Sequence, residues 1–274
     1  MSYVFLNLSI MRKGFMFRIS FFFCFYFIAN NIIAQSTNTT YDTNAVAFNK
    51  AYFKSYLTDT RDILIGPLHW NTKQAGACAG VIIAAAALSL DDVHIRDFSQ
   101  RNRTNLTNNI STYGVEPWGN GQYTIGTMAL LYLCGTIFKD DRSKKVAMLG
   151  AKTYILTGGA VEIPKFLLER DRPYQDPTYQ YLFKGPVIPV RYTSLPSGHT
   201  TSAFAMATIV ASEYKEKPLV VILSYTIATL GGMARIHDNQ HWASDVLCGV
   251  AFGYAMGKLI YNKNNWGVKQ FKAP

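Results

Sequence analysis

LPSGHTTSAFAMATIV, residues 195–210, sets a histidine beside a small polar turn and then runs into an apolar stretch too long for a strand. Ser197 is a natural N-cap, and Gly198 lets backbone amides come close to a ligand. The residues that follow are small and mostly apolar over helix length, so a helix is expected from about residue 198. Outward from this segment the other apolar runs are also helix-length. Helices are expected near 45–57, 73–90, 122–138, 143–168, 198–215, 218–233 and 243–261. Gly114 and Pro117 precede the third of these, and Pro218 opens the sixth. Strand-like alternation is scarce, so the expected class is all-α, a helical bundle. The longest irregular stretch, Pro173 to Pro196, is rich in Tyr and Pro, and a loop of that length inside a domain is usually functional.

The 274 residues include 49% hydrophobic and 14% aromatic side chains, which excludes a disordered chain and permits a sizeable core. A net charge of +10, from 27 Lys and Arg against 17 Asp and Glu, suits an anionic partner. The basic residues are scattered, with no Lys/Arg block, so the partner expected is a phosphorylated small molecule or lipid, or an acidic membrane surface, and not nucleic acid. Residues 1–34 read as a secretory signal: Arg12, Lys13 and Arg18 precede the apolar run Ile19–Ala29, and Ala34 stands before Gln35 at a plausible cleavage site. The alternatives here are an uncleaved anchor and a start at Met11. A polar leader and first helix (35–60), a catalytic helical domain (61–262) and a tail (263–274) complete the expected organisation. Cys78, Cys134 and Cys248 lie in apolar stretches without metal-ligand spacing and read as small buried hydrophobes. The apolar runs Ala75–Leu90, Tyr123–Phe138, Leu219–Met233 and Val246–Tyr261 are each about 16 residues long, short of the roughly 20 that span a bilayer. The expectation is an exported envelope protein, periplasmic or membrane-associated.

Three clusters carry chemistry. In Lys165-Phe-Leu-Leu-Glu-Arg-Asp-Arg172-Pro173, positions seven apart share a helix face, so Lys165 and Arg172 are expected to point one way and clamp an anion. In Pro196-Ser197-Gly198-His199, a helix N-terminus with free N–H groups is an anion site, and a histidine there can protonate a departing oxygen. In Arg235-Ile-His-Asp-Asn-Gln-His241-Trp-Ala-Ser-Asp245, His241 and Asp245 are neighbours on a helix. A carboxylate accepting from Nδ1 would leave Nε2 free as a nucleophile. Each cluster alone also has a plain structural reading: a solvated face, a capped helix, a His–Asp brace.

In order, Lys-x6-Arg-Pro, Pro-Ser-Gly-His and Arg-x5-His-x3-Asp resemble the motifs of the type 2 phosphatidic acid phosphatase superfamily, which includes lipid phosphate phosphatases, bacterial nonspecific acid phosphatases and vanadium haloperoxidases. The stretch Asp62-Ile-Leu-Ile-Gly-Pro-Leu-His-Trp70 is similar to exported bacterial members. The resemblance implies that fold and a phosphatase without metal or other cofactor. It implies Lys165, Arg172, Arg235, Ser197 and the Gly198 amide around the phosphoryl oxygens. It further implies His241 as nucleophile, Asp245 as its orienting group and His199 as acid and then base. The product chemistry is hydrolysis of a phosphomonoester or diphosphate, of a lipid or of a soluble ester, through phosphohistidine.

One departure stands out: Ala234 occupies the place where the family usually has Ser, which removes one hydroxyl near the phosphate. A lost peripheral hydrogen bond costs about 1–2 kcal/mol, enough to slow a reaction without abolishing it. Two readings from other classes are a vanadate-dependent haloperoxidase and a noncatalytic anion- or lipid-binding protein. His69, His94 and His237 lie outside the motif positions, Asp171 is expected to pair with Arg170 or Arg172, and Asp91 and Asp92 are expected at a helix end. Sequons at Asn38, Asn102, Asn105 and Asn109 matter only in a eukaryotic secretory protein.

Overall fold

Asn49 accepts the Tyr52 N–H at 2.9 Å and so starts the first helix of the computed structural model, which describes residues 47–186 and 193–264. The helices are α1 (Lys50–Ile65), α2 (Thr72–Ser89), α3 (Asp92–Arg101), α4 (Asn105–Asn109), α5 (Gly121–Ile137), α6 (Asp141–Leu168), α7 (Gly198–Glu213), α8 (Pro218–His237) and α9 (Ala243–Lys263). Short helical turns join them at Gly66–His69, Ile110–Val115 and Glu116–Gly119. Among the described residues no strand forms, and the single isolated bridge pairs Arg170 with Phe183. The all-α expectation holds. The signal segment and most of the C-terminal tail lie outside the described residues.

The bundle is organised around α7. Its residues from Thr200 to Glu213 are buried almost all round, against α6, α8 and α9. Such a helix must be apolar or small on every face, which is how the stretch from Thr201 to Val210 reads. The approach of α9 is closest at Gly253, where an added Cβ would stand 2.2 Å from the carbonyl oxygen of Thr201. Gly249 and Gly257, four residues to either side, meet α7 in the same way. Small residues at this spacing let two helix backbones touch, and Gly253→Ala would force them apart.

At the end of the bundle away from His199, charged groups are paired. Lys145 meets Glu213 at 2.8 Å and Arg142 meets Glu216 at 2.6 Å. The buried Lys152 ammonium binds Asp59, with Ser55 at 2.7 Å and Asn264 at 2.8 Å, and so ties α1 and the end of α9 to α6. These tertiary bonds explain a correction. The first helix continues to Ile65 instead of ending near residue 57, because Asp59 and Asp62 both find lysines in the bundle.

Residues 90–121 also depart from expectation. A polar stretch read without helices forms α3, α4 and two helical turns. They are held from outside the segment: Gln100 donates to the carbonyls of Ile236 and His237, Arg96 Nε donates to Asn239 at 2.9 Å, and Ser111 donates to Asp238 at 2.8 Å. Packing of the segment onto the end of α8 supplies what local periodicity does not.

The apolar runs are longer as helices than as runs. α2, α8 and α9 have 18, 20 and 21 residues and are long and apolar enough to cross a membrane. The polar residues at their ends extend the helices by a further turn, which corrects the expectation that they fall short. Only 6% of α2 is buried inside the protein.

Candidate active site

α6 ends at Leu168 because Glu169 takes a left-handed conformation, φ 39°, and donates its N–H back to Lys165. Arg172 therefore lies beyond the helix, and the shared-face route from Lys165 to Arg172 does not operate. Both cations still reach the same place. The chain turns at Glu169, and Arg172 is fixed by Nε donating to the Thr193 carbonyl at 3.3 Å and Nη1 to Gln240 at 2.9 Å. Lys165 Nζ, steadied by Glu162 at 2.9 Å, stands 3.2 Å from where a Cβ on Gly198 would be. Glycine at the first position of α7 is thus what admits the ammonium to the helix N-terminus.

Ser197 is the N-cap residue of α7 by position, but its side chain makes no capping bond. Its Oγ accepts from Thr200 at 2.9 Å, and its N–H donates to the Asp245 carbonyl at 3.0 Å. Helix geometry leaves the first-turn N–H groups without intrahelical partners, so this end of α7 presents donors to an anion. Arg235 comes from the last turn of α8. It is buried, with Nη1 3.6 Å from Glu116, and its Nε has no hydrogen-bond partner among the described residues. A buried guanidinium nitrogen left open is costly unless something else satisfies it. Arg235 also accepts the N–H groups of Gln240 and His241 on its carbonyl, 2.9 and 3.2 Å away. That tight return passes through Asn239 at φ 58°, a conformation asparagine tolerates well.

His199 and His241 share this positive field. Burial, then Arg235, Arg172 and Lys165, draws His199 down to about 3. The same causes, led by burial, hold His241 well below its ordinary value. Both imidazoles are neutral near pH 7. His199 is pressed against the turn Glu116–Gly119: an added Cβ at Gly119 would lie 2.9 Å from His199 Cβ and 3.0 Å from its carbonyl oxygen.

The support of His241 differs from expectation. Nδ1 lies 2.8 Å from the Ser194 carbonyl and 4.0 Å from the nearest Asp245 oxygen. Nδ1–H donates to Ser194, and the carboxylate does not accept it. Asp245 instead receives the Ser194 hydroxyl, the Trp242 N–H at 3.0 Å and Arg170 Nη1 at 2.6 Å. Arg170 also donates to Asp92 at 2.8 Å, to Ser244 at 2.8 Å and to the Gln180 carbonyl at 2.9 Å. Asp171 pairs with Lys184 and with neither flanking arginine. Asp92 does open α3, and it is fully buried on Arg170.

The sequence thus assigns Ser194 and Gly119 no role, and it places Arg170 and Asp92 in other ones, beside Asp171 and at a helix end. Asp92 and Arg170 are 78 residues apart, with no local pattern to join them. Ser194, three residues before Ser197, carried at most the hint of a hydroxyl beside a motif. His69 sits in an exposed turn, His94 faces the exposed Asp91 at 3.7 Å, and His237 meets Asn108 at 2.9 Å.

A family profile described as the PAP2 superfamily matches residues 146–268, which contain all three motifs. Over 146 residues the chain is 37% identical to the lipid A 1-phosphatase of Porphyromonas gingivalis, covering 52% of this chain and 29% of that protein. Over 140 residues it is 31% identical to the decaprenylphosphoryl-5-phosphoribose phosphatase of Mycobacterium tuberculosis, covering 51% of this chain and 72% of that one. The chain belongs to the PAP2 superfamily. This PAP2 chain spans less than a third of the lipid A phosphatase it matches. It is also similar to the crystal structure of a transmembrane PAP2-type phosphatidylglycerolphosphate phosphatase from Bacillus subtilis, with a TM-score of 0.48 and 19% identity over 78% of this chain and 94% of the other.

Proposed function

We propose that the chain hydrolyses a phosphomonoester or diphosphate of a lipid through a phosphohistidine on His241. The observation that carries this reading is the open Nε of buried Arg235 beside two neutral histidines and the N-terminus of α7. Three cations around an unprotonated imidazole, with Arg235 Nε still open although Glu116 and Glu162 face Arg235 and Lys165, suit a tetrahedral oxyanion. Three apolar helices support a membrane-associated enzyme, and the similar proteins are named for lipid-linked phosphates.

In this mechanism Lys165, Arg172, Arg235, Ser197 and the Gly198 amide hold the phosphoryl oxygens. With Nδ1–H held by Ser194, the Nε2 lone pair of His241 attacks phosphorus in line. The bond to the leaving oxygen breaks as that oxygen takes a proton from His199. Water, deprotonated by His199, then attacks phosphorus, the P–N bond breaks, and phosphate leaves with His241 neutral again. Positioning and charge neutralisation do most of the work. His199 must hold a proton in the first step, and the arriving phosphate supplies the negative charge that offsets the three cations. Ala234 leaves every one of these groups in place. The site would face the envelope side of the membrane, as the expected signal segment directs.

Phosphate release from phosphatidic acid, a prenyl diphosphate and a chromogenic soluble ester tests the reading. Turnover with lipid phosphates and label trapped on His241 is the expected result. A phosphoenzyme on any other residue would sink it. Turnover of the soluble ester alone would make the chain a nonspecific acid phosphatase, and no turnover by folded protein would make it a binding protein. Peroxide-dependent halide oxidation that requires added vanadate would make it a haloperoxidase.

A further inference from the structure

The segment after Arg172 is a built surface with apolar rings turned outward. Tyr174, Tyr179, Tyr181 and Phe183 are all exposed, at 42, 50, 38 and 48%. Tyr179 and Tyr181 meet edge to face with centroids 5.8 Å apart. The backbone beneath them is fixed. Asp171 donates its N–H to Leu182 at 2.9 Å and Lys184 donates to Glu169 at 3.1 Å, while Arg170 holds the Gln180 carbonyl and has its guanidinium 5.6 Å from the Phe183 ring. Exposing four rings on a fixed backbone has an energetic cost unless something apolar covers them.

Their position along the bundle says what covers them. α2 rises about 27 Å over its 18 residues at about 1.5 Å each, close to the roughly 30 Å of a bilayer's hydrocarbon core. With Ile82 and Ile83 exposed on it and most of its surface open beyond its contact with α9, α2 has lipid as its natural neighbour. Its last turn then emerges at the polar boundary. There the carbonyl of Ser89 accepts from Gln180 Nε2 at 3.2 Å and from the Tyr181 hydroxyl at 3.4 Å. The aromatic segment is thereby pinned at the height where α2 leaves the hydrocarbon, with Leu90 exposed beside it. Tyrosine, with an apolar body and a hydroxyl tip, is enriched at that boundary.

We propose that Tyr174–Phe183 is a membrane-docking platform whose rings rest in the headgroup zone of the bilayer and hold the mouth of the site at the level of lipid phosphates. The occupant is the bilayer itself. Arg170 links platform and site, since one guanidinium holds both the Gln180 carbonyl and the Asp245 carboxylate. The lipid-substrate part of this inference rests on the phosphatase reading; the docking part does not.

The test uses the full chain in phosphatidylcholine–phosphatidylglycerol vesicles carrying lipids brominated either near the headgroup or at mid-bilayer. Fluorescence of Tyr179→Trp and, separately, Tyr174→Trp, each with the parent signal subtracted, should be quenched strongly by the shallow bromines and weakly by the deep ones. Quenching by neither set, in folded protein, overturns the platform and leaves a protein partner or the solvent as its neighbour. In the same vesicles, Tyr179→Ser with Tyr181→Ser should lower turnover of a bilayer lipid phosphate several-fold and leave kcat on a soluble ester unchanged. An equal loss on both substrates overturns the link between platform and lipid. Shallow quenching without turnover of any phosphate would leave docking standing and the phosphatase reading fallen.

Discussion

His241 and Asp245, one helical turn apart in sequence, do not touch: Nδ1 and the nearest carboxylate oxygen are 4.0 Å apart. Ser194 stands between them, giving its carbonyl to the imidazole and its hydroxyl to the carboxylate. The tautomer of His241, the proposed nucleophile, is therefore held by a backbone group, and the carboxylate acts one residue removed.

Ser194→Ala separates the two tasks. The variant keeps the carbonyl and so the tautomer, but it leaves Asp245 one donor short. A lost buried hydrogen bond costs about 1–2 kcal/mol, so kcat should fall by roughly an order of magnitude with KM little changed. An unchanged kcat in single-turnover kinetics would mean that the hydroxyl is idle.

Asp245→Ala should cost stability as well as rate. It strips Arg170 of a carboxylate and α9 of its first-turn acceptor. Removing one member of a buried ion pair typically costs about 3–5 kcal/mol, and thermal unfolding should register it. Arg170→Met should behave alike, since it takes the cation from Asp92 and Asp245 together.

Arg235→Lys keeps the charge and removes the planar fork. Vanadate, which mimics the trigonal-bipyramidal transition state, should inhibit the parent protein. Hydrogen bonds to a charged group contribute about 1.5–3 kcal/mol each, so its inhibition constant should rise by about tenfold or more in the variant. Equal inhibition of both proteins would mean that the open Nε does not meet the anion.

The depressed histidines give a pH dependence with a definite sign. The folded protein keeps His199 neutral down to about 3, whereas an unfolded histidine takes its proton near 6.5. The unfolded state thus binds more protons below pH 6.5, and stability falls as the pH drops from there toward 3. Above that window the contribution is complete and flat. Thermal unfolding between pH 7 and pH 4 should fall less steeply in His199→Gln than in the parent. Phosphate or vanadate binding should raise the His199 value, visible as proton uptake on binding.

Gly119→Ala tests the seat of His199. The new methyl would meet the Cβ and the carbonyl of His199, neither of which is a flexible end. Displacing His199, the proposed acid, should slow substrates with poor leaving groups most, while a good leaving group such as a nitrophenolate is spared. Uniform loss across leaving groups would point to general damage to the turn.

The part of the site legible in sequence is the part made of near neighbours. A capping serine, a glycine and a histidine before a run of small residues are read from adjacent positions, and they sit at the start of α7 where that reading puts them. Lys165 and Arg172 were expected together on a helix face. They share the site through a left-handed residue at Glu169, which no local propensity announces in a glutamate. The direct His241–Asp245 bond followed from helix spacing, and it fails because His241 precedes α9, whose first residue is Ala243. Contacts such as Asp92 on Arg170 or Gly119 on His199 depend on how distant segments pack, and no periodicity encodes them. The same holds for the lengths of the apolar helices, whose polar end residues hide turns that only the assembled bundle completes.

The N–H of Ser197 is satisfied by the carbonyl of Asp245, so the start of α7 and the start of α9 are sewn together by the backbone itself. His241 and Asp245 straddle the start of the last described helix, behind every other described element in the chain. A ribosome-borne chain that stops before that helix carries the three cations and His241 but lacks Asp245, whose carbonyl holds Ser197. The proposed site is therefore complete only once α9 lies along the glycine seam against α7.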